Sequence, residues 1–354
     1  MKGGTIDVKE TEKINSAPFS PNKVRINVFD NFRGLFVLIY VVQSCVGAIQ
    51  GINTPSWFGH NWGNLEEGAK SFLRMGLLDV GPSAFYFILG LTCVTAFQSK
   101  LKYMPKKQAY KEFCYRYLTL MGIVAIVYVG QAIFAGAGYL FGAVHAIAVT
   151  GVLATPFLGM NKWQRLATAV IILGLFYAFN HQIISLLTTN EFALDGGFAI
   201  CVGYLGITLL ATFLSELYLK DIRHYAVALI PLAGLGVYLY FFEDFLAIDS
   251  FYCIMTGFIV TCLGFLIYAV FDKYVLKGKQ IPLVAALGRS LLLFFFLKTV
   301  LGLIITPIVG DAIEGLATTD PKYIAVVWGV ALSSFALLML IGYVFQKKNI
   351  VIKL

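Results

Sequence analysis

The sequence predicts an all-α, polytopic integral membrane protein of about ten transmembrane helices, with its N- and C-termini cytoplasmic. Three observations predict it. The 354 residues are 59% hydrophobic and only 13% charged, whereas soluble domains carry about a quarter of charged residues. So little polar surface cannot solvate a protein of this size, and its outer surface must face lipid. Apolar runs long enough to cross a bilayer, about 20 residues each, recur along the chain. Lys and Arg gather in short clusters between these runs, the pattern by which membrane proteins set their orientation.

Residues 1–31 are polar and hold no apolar core of signal-peptide length, so they are expected to form a cytoplasmic tail with no cleaved leader. A transmembrane domain follows over residues 32–345, with spans expected near 32–52, 79–98, 117–136, 141–160, 165–187, 197–219, 225–242, 249–271, 282–309 and 323–345. The segment Lys100–Arg116 separates the second span from the third and carries six basic residues, read as a loop. Lys162 and Arg165 lie between the fourth and fifth, and Lys220 and Arg223 between the sixth and seventh. Lys273, Lys277 and Lys279 separate the eighth from the ninth, and residues 346–354 form a basic cytoplasmic tail. The ninth run is too long for one straight crossing and holds Pro307, so its end is expected to kink or lie along the interface. Most outer loops are short, but residues 53–78 and 310–322 are longer.

Ten spans with an inside N-terminus put 22 Lys and Arg residues on the cytoplasmic side and only Lys70, Arg74 and Lys322 opposite. That asymmetry sets the expected topology. It also gives the net charge of +8 a membrane explanation and argues against nucleic acid as a partner. The six cysteines lie in or beside apolar runs, so neither a disulfide framework nor a metal site is expected.

Two cations remain inside the ninth run. A charge within a bilayer costs a few kcal/mol or more unless it meets a partner or a watery cavity. Arg289 lies seven residues past Pro282, roughly 10 Å deep if the helix runs along the membrane normal. Lys298 falls toward the outer half, where its stem can snorkel. At the start of the first span Asp30 and Arg33 stand three residues apart, the spacing of a local helical ion pair. Asp79 opens the second span, where a carboxylate complements the helix dipole, and His145 sits early in the fourth.

Several segments, taken in order, resemble one family. "VFDNFRGLFVLIYVV" (28–42), with Asp30, Arg33 and Gly34, resembles the opening of heparan-alpha-glucosaminide N-acetyltransferases and their bacterial relatives, within the transmembrane acyltransferase group. "GHNWGN…LLDVGPSAFYFILGL" is similar to the family's outer loop and second helix, with His60, Trp62, Asp79, Pro82 and Gly90 in the matching places. "GAVHAIAVTGVLATPF", "LDGGFAICVGYLGITLLATFL", "LVAALGRSLLLFFF" and the tail "YVFQKKNIVIKL" continue the resemblance in family order. The chain departs from the pattern in the longer separation of His60 from Asp79, in Arg289 for an Asn, and in His145-Ala146 for a Gln-Arg pair.

The resemblance implies an acyltransferase that moves an acetyl group from cytoplasmic acetyl-CoA to an extracytoplasmic amino sugar or glycan. It makes His60 the catalytic residue, and the charge count independently places His60 outside. Attack on a thioester needs a base, since protonated amines and alcohols attack poorly. An imidazole titrates near neutrality, which fits His60 as general base or as transient acyl acceptor. Asp79 would orient it or hold the acceptor. Trp57, Trp62, His145 and Lys298 are candidates for the acceptor pocket. Asp30, Arg33 and Arg289 are candidates for the inner vestibule that takes the phosphates of acetyl-CoA, because guanidinium groups bind phosphate in bidentate fashion. The expected partners are the lipid bilayer and the sugar acceptor, with a homodimer as one admissible assembly. The expected location is a bacterial plasma membrane. Two rivals stand beside this reading: a transporter for a small sugar or anion, whose route would use Arg289, Lys298 and His145, and a non-catalytic sensor or assembly partner of the same fold.

Overall fold

The structure is a computed structural model, and it describes residues 27–47, 77–135, 142–179, 182, 197–242, 251–290, 293–294, 309 and 320–348. All regular structure among the described residues is helical: α1 (Asn27–Gly47), α2 (Leu77–Leu101), α3 (Lys106–Ala135), α4 (Ala143–Ala154), α5 (Lys162–Ala178), α6 (Gly197–Lys220), α7 (Ile222–Phe242), α8 (Phe251–Phe271), α9 (Pro282–Arg289) and α10 (Pro321–Lys347). Each helix lies on one of the expected runs. Six of them, α2, α3, α6, α7, α8 and α10, are long and apolar enough to cross a membrane. α4, α5 and α9 are shorter, at 12, 17 and 8 residues.

Hydropathy alone does not say which helix is central; burial does. The apolar window of α6 is 83% buried and that of α2 72%, against 17% for α7 and 18% for α10. α6 packs against α2, α4, α5, α7 and α8, while α1 joins α2 on one side and α9 and α10 on the other. Small residues let α2 and α6 approach: a Cβ on Gly90 would stand 2.4 Å from the Cβ of Ala211 and 2.5 Å from the Thr208 carbonyl oxygen. Close packing of this kind is what binds helices together where lipid is as apolar as the side chains.

One layer of the core is aromatic. Phe265 of α8 is wholly buried and meets five rings: Phe29 and Phe32 of α1, Phe87 of α2, Tyr218 of α6 and Tyr225 of α7, at centroid distances of 5.1 to 5.8 Å. Its contacts with Phe32, Tyr218 and Tyr225 are edge-to-face, the arrangement that the ring quadrupole favours. The Tyr225 hydroxyl donates to the Cys262 carbonyl at 3.0 Å.

The segment expected as a basic loop is mostly helix. α3 starts at Lys106, directly after Pro105, and carries Lys107, Lys111 and Arg116 before its apolar stretch. Lys, Gln, Ala, Glu and Arg all favour helix, and long basic side chains keep their charges in water while the helix rises out of the lipid. An ion pair between Lys100 and Glu112 closes the hairpin between α2 and α3.

The start of the ninth run is set by how α8 ends. α8 ends in a wider, π-helical turn over Asp272–Leu276. The chain then reverses through two positive φ values, Lys277 at 53° and Gly278 at 70°, and both amides donate to the Asp272 carbonyl. α9 then runs from Pro282 to Arg289; helix is present again at 293–294, where the Phe294 N–H donates to the Ser290 carbonyl at 3.2 Å, and Pro307 lies outside the described residues.

Candidate active site

Asp30, Arg33 and Arg289 come together where α9 crosses α1. Asn31, fully buried, sets the register: its amide nitrogen donates to the Lys279 carbonyl and its amide oxygen accepts from the Ile281 N–H, both at 3.1 Å. One side chain thus satisfies two backbone groups of the segment that leads into α9, and Asn27 adds a bond to the Gly278 carbonyl. Two glycines then let the backbones touch. A Cβ on Gly34 would lie 1.7 Å from the Val284 carbonyl oxygen, and one on Gly288 would lie 2.2 Å from the Asp30 carbonyl oxygen and 3.1 Å from the Arg33 Cβ.

These contacts fix where Arg289 sits relative to α1. Ile281 is tied to Asn31, Val284 covers Gly34, and Arg289 meets Asp30. The whole of α9 therefore faces about one turn of α1, so it lies obliquely across that helix instead of running beside it. Arg289 is held at the level of the first turn of α1, with its Nε 3.7 Å from the Asp30 Oδ2. Both side chains are mostly buried, at 18% and 13% exposure. The pair also suits its helix ends: Asp30 is in the first turn of α1 and Arg289 in the last turn of α9.

The same end of the molecule carries more cations than the candidate set included. Arg33 and Arg116 both act electrostatically on the Tyr117 hydroxyl, and Arg116 and Arg165 both act on the Cys93 thiol. The Arg116 guanidinium stands 5.8 Å from the Tyr117 ring. Arg165 is only 1% exposed; it pairs with Glu216 and donates to the Met160 carbonyl at 2.8 Å. Counted only as orientation charges, Arg116 and Arg165 were missed. The signal in the sequence was Glu216, an acid near the inner end of an otherwise apolar span. Chemically, such an arrangement can hold a polyanion: Arg289 pairs with Asp30 and Arg33 stands beside that pair, and forked guanidinium donors match phosphate geometry.

Asp79 and His145 lie at the opposite end. Asp79 is in the first turn of α2, 2% exposed, beside the contact of Val80 with Gly257 of α8. Nearby Ser83 donates to the Ile254 carbonyl at 3.0 Å. His145 is in the first turn of α4, 6% exposed, with its ring 5.0 Å from that of Tyr128. The next residue, Ala146, offers its carbonyl to the Cys201 thiol at 3.9 Å, and one turn on, Tyr204 stacks on Tyr86 of α2 at 3.9 Å. This chain of contacts runs between the helices of His145 and Asp79. Gly81 of α2 abuts Tyr40, which is ten residues beyond Asp30 on α1, so the two clusters stand at least roughly 15 Å apart along the helix axes.

Trp57, His60, Trp62 and Lys298 lie outside the described residues. A shallow apolar cavity of 130 Å³ borders Tyr40, Gly81 and Phe32 but none of the charged candidates. Among the described residues no group of three or more His, Cys, Asp or Glu converges as metal ligands would.

Residues 25–241 match the family model for heparan-alpha-glucosaminide N-acetyltransferase, catalytic. No curated protein matches the chain. The matched region holds Asp30, Arg33, Asp79 and His145, together with His60, and ends before α9. Since it covers more than half of the 354 residues, the chain belongs to the heparan-alpha-glucosaminide N-acetyltransferase family.

Proposed function

We propose that this protein is a ten-span acetyltransferase of a bacterial plasma membrane, with both termini in the cytoplasm, that passes an acetyl group from cytoplasmic acetyl-CoA to an extracytoplasmic amino sugar or glycan. Family membership supports membrane acetyl transfer in general. The observation that carries the donor assignment is the Asp30–Arg289 pair beside Arg33, at the end of the bundle where the basic segments meet. Among them, Arg33 and Arg116 supply positive charge for phosphates, while Asp30 keeps the Arg289 guanidinium oriented.

Acetyl-CoA supplies a thioester carbonyl for attack by the acceptor amine or hydroxyl. The carbonyl carbon–sulfur bond breaks and coenzyme A leaves as its thiol, with the proton relayed from the acceptor. His60 takes the proton that the acceptor must lose, either directly or through a transient acylation of its own ring. Asp79, buried at the outer end of α2, orients that imidazole, and His145 with Trp57, Trp62 and Lys298 shapes the acceptor pocket. Burial of the outer cluster excludes water, which would otherwise hydrolyse the thioester.

The test is transfer of radiolabel from acetyl-CoA to an amino sugar by the purified protein in proteoliposomes. Loss of transfer in His60→Ala, and a raised KM for acetyl-CoA at near-constant kcat in Arg289→Gln, are the expected results. Sugar flux across the liposome membrane without acetyl-CoA, and no label transfer, would refute the proposal in favour of a transporter.

A further inference from the structure

α5 and α7 both pack on α6 but splay apart, and a cavity of 580 Å³ lies between them. Its floor is Leu210, Phe213 and Leu214 of α6, and its walls include Val170 and Gly174 of α5 with Pro231 and Leu235 of α7. Tyr177 and Tyr238 mark its outer end. Along α5 it runs from Leu166 to Tyr177, roughly 16 Å at helical rise. The surrounding faces are greasy and open: Val170 is 60% exposed, Ile171 62%, Val227 63% and Ile230 68%. In a bilayer, a slot with this lining is filled by hydrocarbon.

The inner mouth of the slot is cationic. Lys162, one turn before Leu166 at the start of α5, and Lys220, the last residue of α6, lie at the same end of two closely packed helices. The neighbouring Lys220 is the first of the causes holding Lys162 below the ordinary lysine range, followed by partial desolvation, while Glu216 acts in the opposite direction. Glu216 is already engaged by Arg165. Other charged and titratable groups near this mouth include Arg223 and His224, both exposed, Lys273, which acts on Asp221, and Asp221 itself, whose carboxylate accepts the Arg223 N–H at 2.9 Å. Cations therefore exceed acids. Two ammonium groups held together repel each other, and an anion between them removes that repulsion. Trp163, 61% exposed and 5.3 Å from the ring of Phe213, sits where indoles collect at a membrane surface.

From the slot and its rim we infer a site for one anionic phospholipid, its phosphate between Lys162 and Lys220 and one acyl chain in the slot between α5 and α7. The site rests on membrane embedding and is independent of the acetyl-transfer reading.

The test is native mass spectrometry of the full-length protein in detergent, titrated with phosphatidylglycerol and with phosphatidylcholine of identical chains. Wild type is expected to bind one phosphatidylglycerol tightly and phosphatidylcholine weakly. Lys162→Gln with Lys220→Gln is expected to weaken phosphatidylglycerol about 30-fold, from roughly fivefold per lysine, and to leave phosphatidylcholine unchanged; the Arg pair keeps binding. Gly174→Leu, where nothing lies within 4 Å of an added Cβ, fills the slot and is expected to weaken both lipids. Equal affinity of wild type for the two lipids would overturn the headgroup assignment. Unchanged binding in Gly174→Leu would overturn the slot, as would full displacement of the lipid by inorganic phosphate. Unaltered thermal midpoints of the Gln and Leu variants confirm that any loss is not unfolding.

Discussion

The crossing of α1 and α9 makes a quantitative prediction for Gly34→Ala. The added methyl would meet the Val284 carbonyl oxygen at 1.7 Å, whereas ordinary contact begins near 3.4 Å. Neither atom can swing away, because one is backbone and the other is a Cβ, so the helices must part by about 1.5 Å, an overpacking strain of typically 1–3 kcal/mol. The same shift loosens the two Asn31 bonds and stretches the Asp30–Arg289 pair. At an effective dielectric of about 20, opening that pair from 3.7 Å to about 5 Å costs roughly 1 kcal/mol of attraction. Together these give a loss of about 2–4 kcal/mol, or a fall of roughly 3–5 °C in thermal midpoint for a chain of this length. The control is Gly122→Ala on α3, where an added Cβ meets nothing and helix propensity improves by about 1 kcal/mol. The assay is thermal unfolding in detergent, with acetyl transfer measured alongside. A midpoint for Gly34→Ala that is not lowered, or that rises as in the Gly122→Ala control, would refute the reasoning, since the two helices could not then be in backbone contact.

Three further outcomes are expected. Arg165→Met leaves Glu216 without its buried partner and should destabilise the protein by about 3–5 kcal/mol, read as a lowered unfolding midpoint; a loss below 1 kcal/mol would mean that Glu216 is solvated. Asn161 caps α5 with Gln164 in a reciprocal pair of bonds at 2.9 and 3.1 Å, so Asn161→Ala should cost about 1 kcal/mol, against almost nothing for Asn161→Asp in the same melt. The Arg223 N–H holds the Asp221 carboxyl below the usual carboxylate range. A depressed acid stabilises the folded state above its unfolded pKa, and this contribution disappears as pH falls through the folded value. The difference in melting between wild type and Asp221→Asn should therefore be constant near neutrality and close only in acid; closure in alkali would contradict the assignment.

Much of the fold was legible because lipid imposes a simple rule on each helix separately. Runs such as 197–219 and 249–271 needed only length and hydropathy to be found, and α6 and α8 lie on them. Position relative to lipid was harder, because the Lys106–Arg116 stretch is polar enough to read as loop yet consists of helix formers. In the candidate site, Asp30, Arg33 and Arg289 were individually visible as charges at the start of, or within, apolar runs. Their convergence was not, because it depends on Asn31 reaching Lys279 and Ile281, about 250 positions away in sequence. The oblique path of α9 was hidden for the same reason: a run of apolar residues specifies burial but not direction. Arg165 shows the converse error, since a count of basic residues treats a buried, paired guanidinium like a solvated one.

The interlocked rings around Phe265 have a consequence for ion leakage. A protein with ionised groups near both faces of a bilayer risks conducting protons down a potential worth about 2.3 kcal/mol per charge per 100 mV. Phe29, Phe32, Phe87, Tyr225 and Phe265 are each no more than 8% exposed, and together they form a dry gasket linking α1, α2, α7 and α8. Close-packed apolar rings oppose the passage of water through that contact. On the proposed function, a thioester arm that reaches across the membrane would pass outside this ring-filled contact.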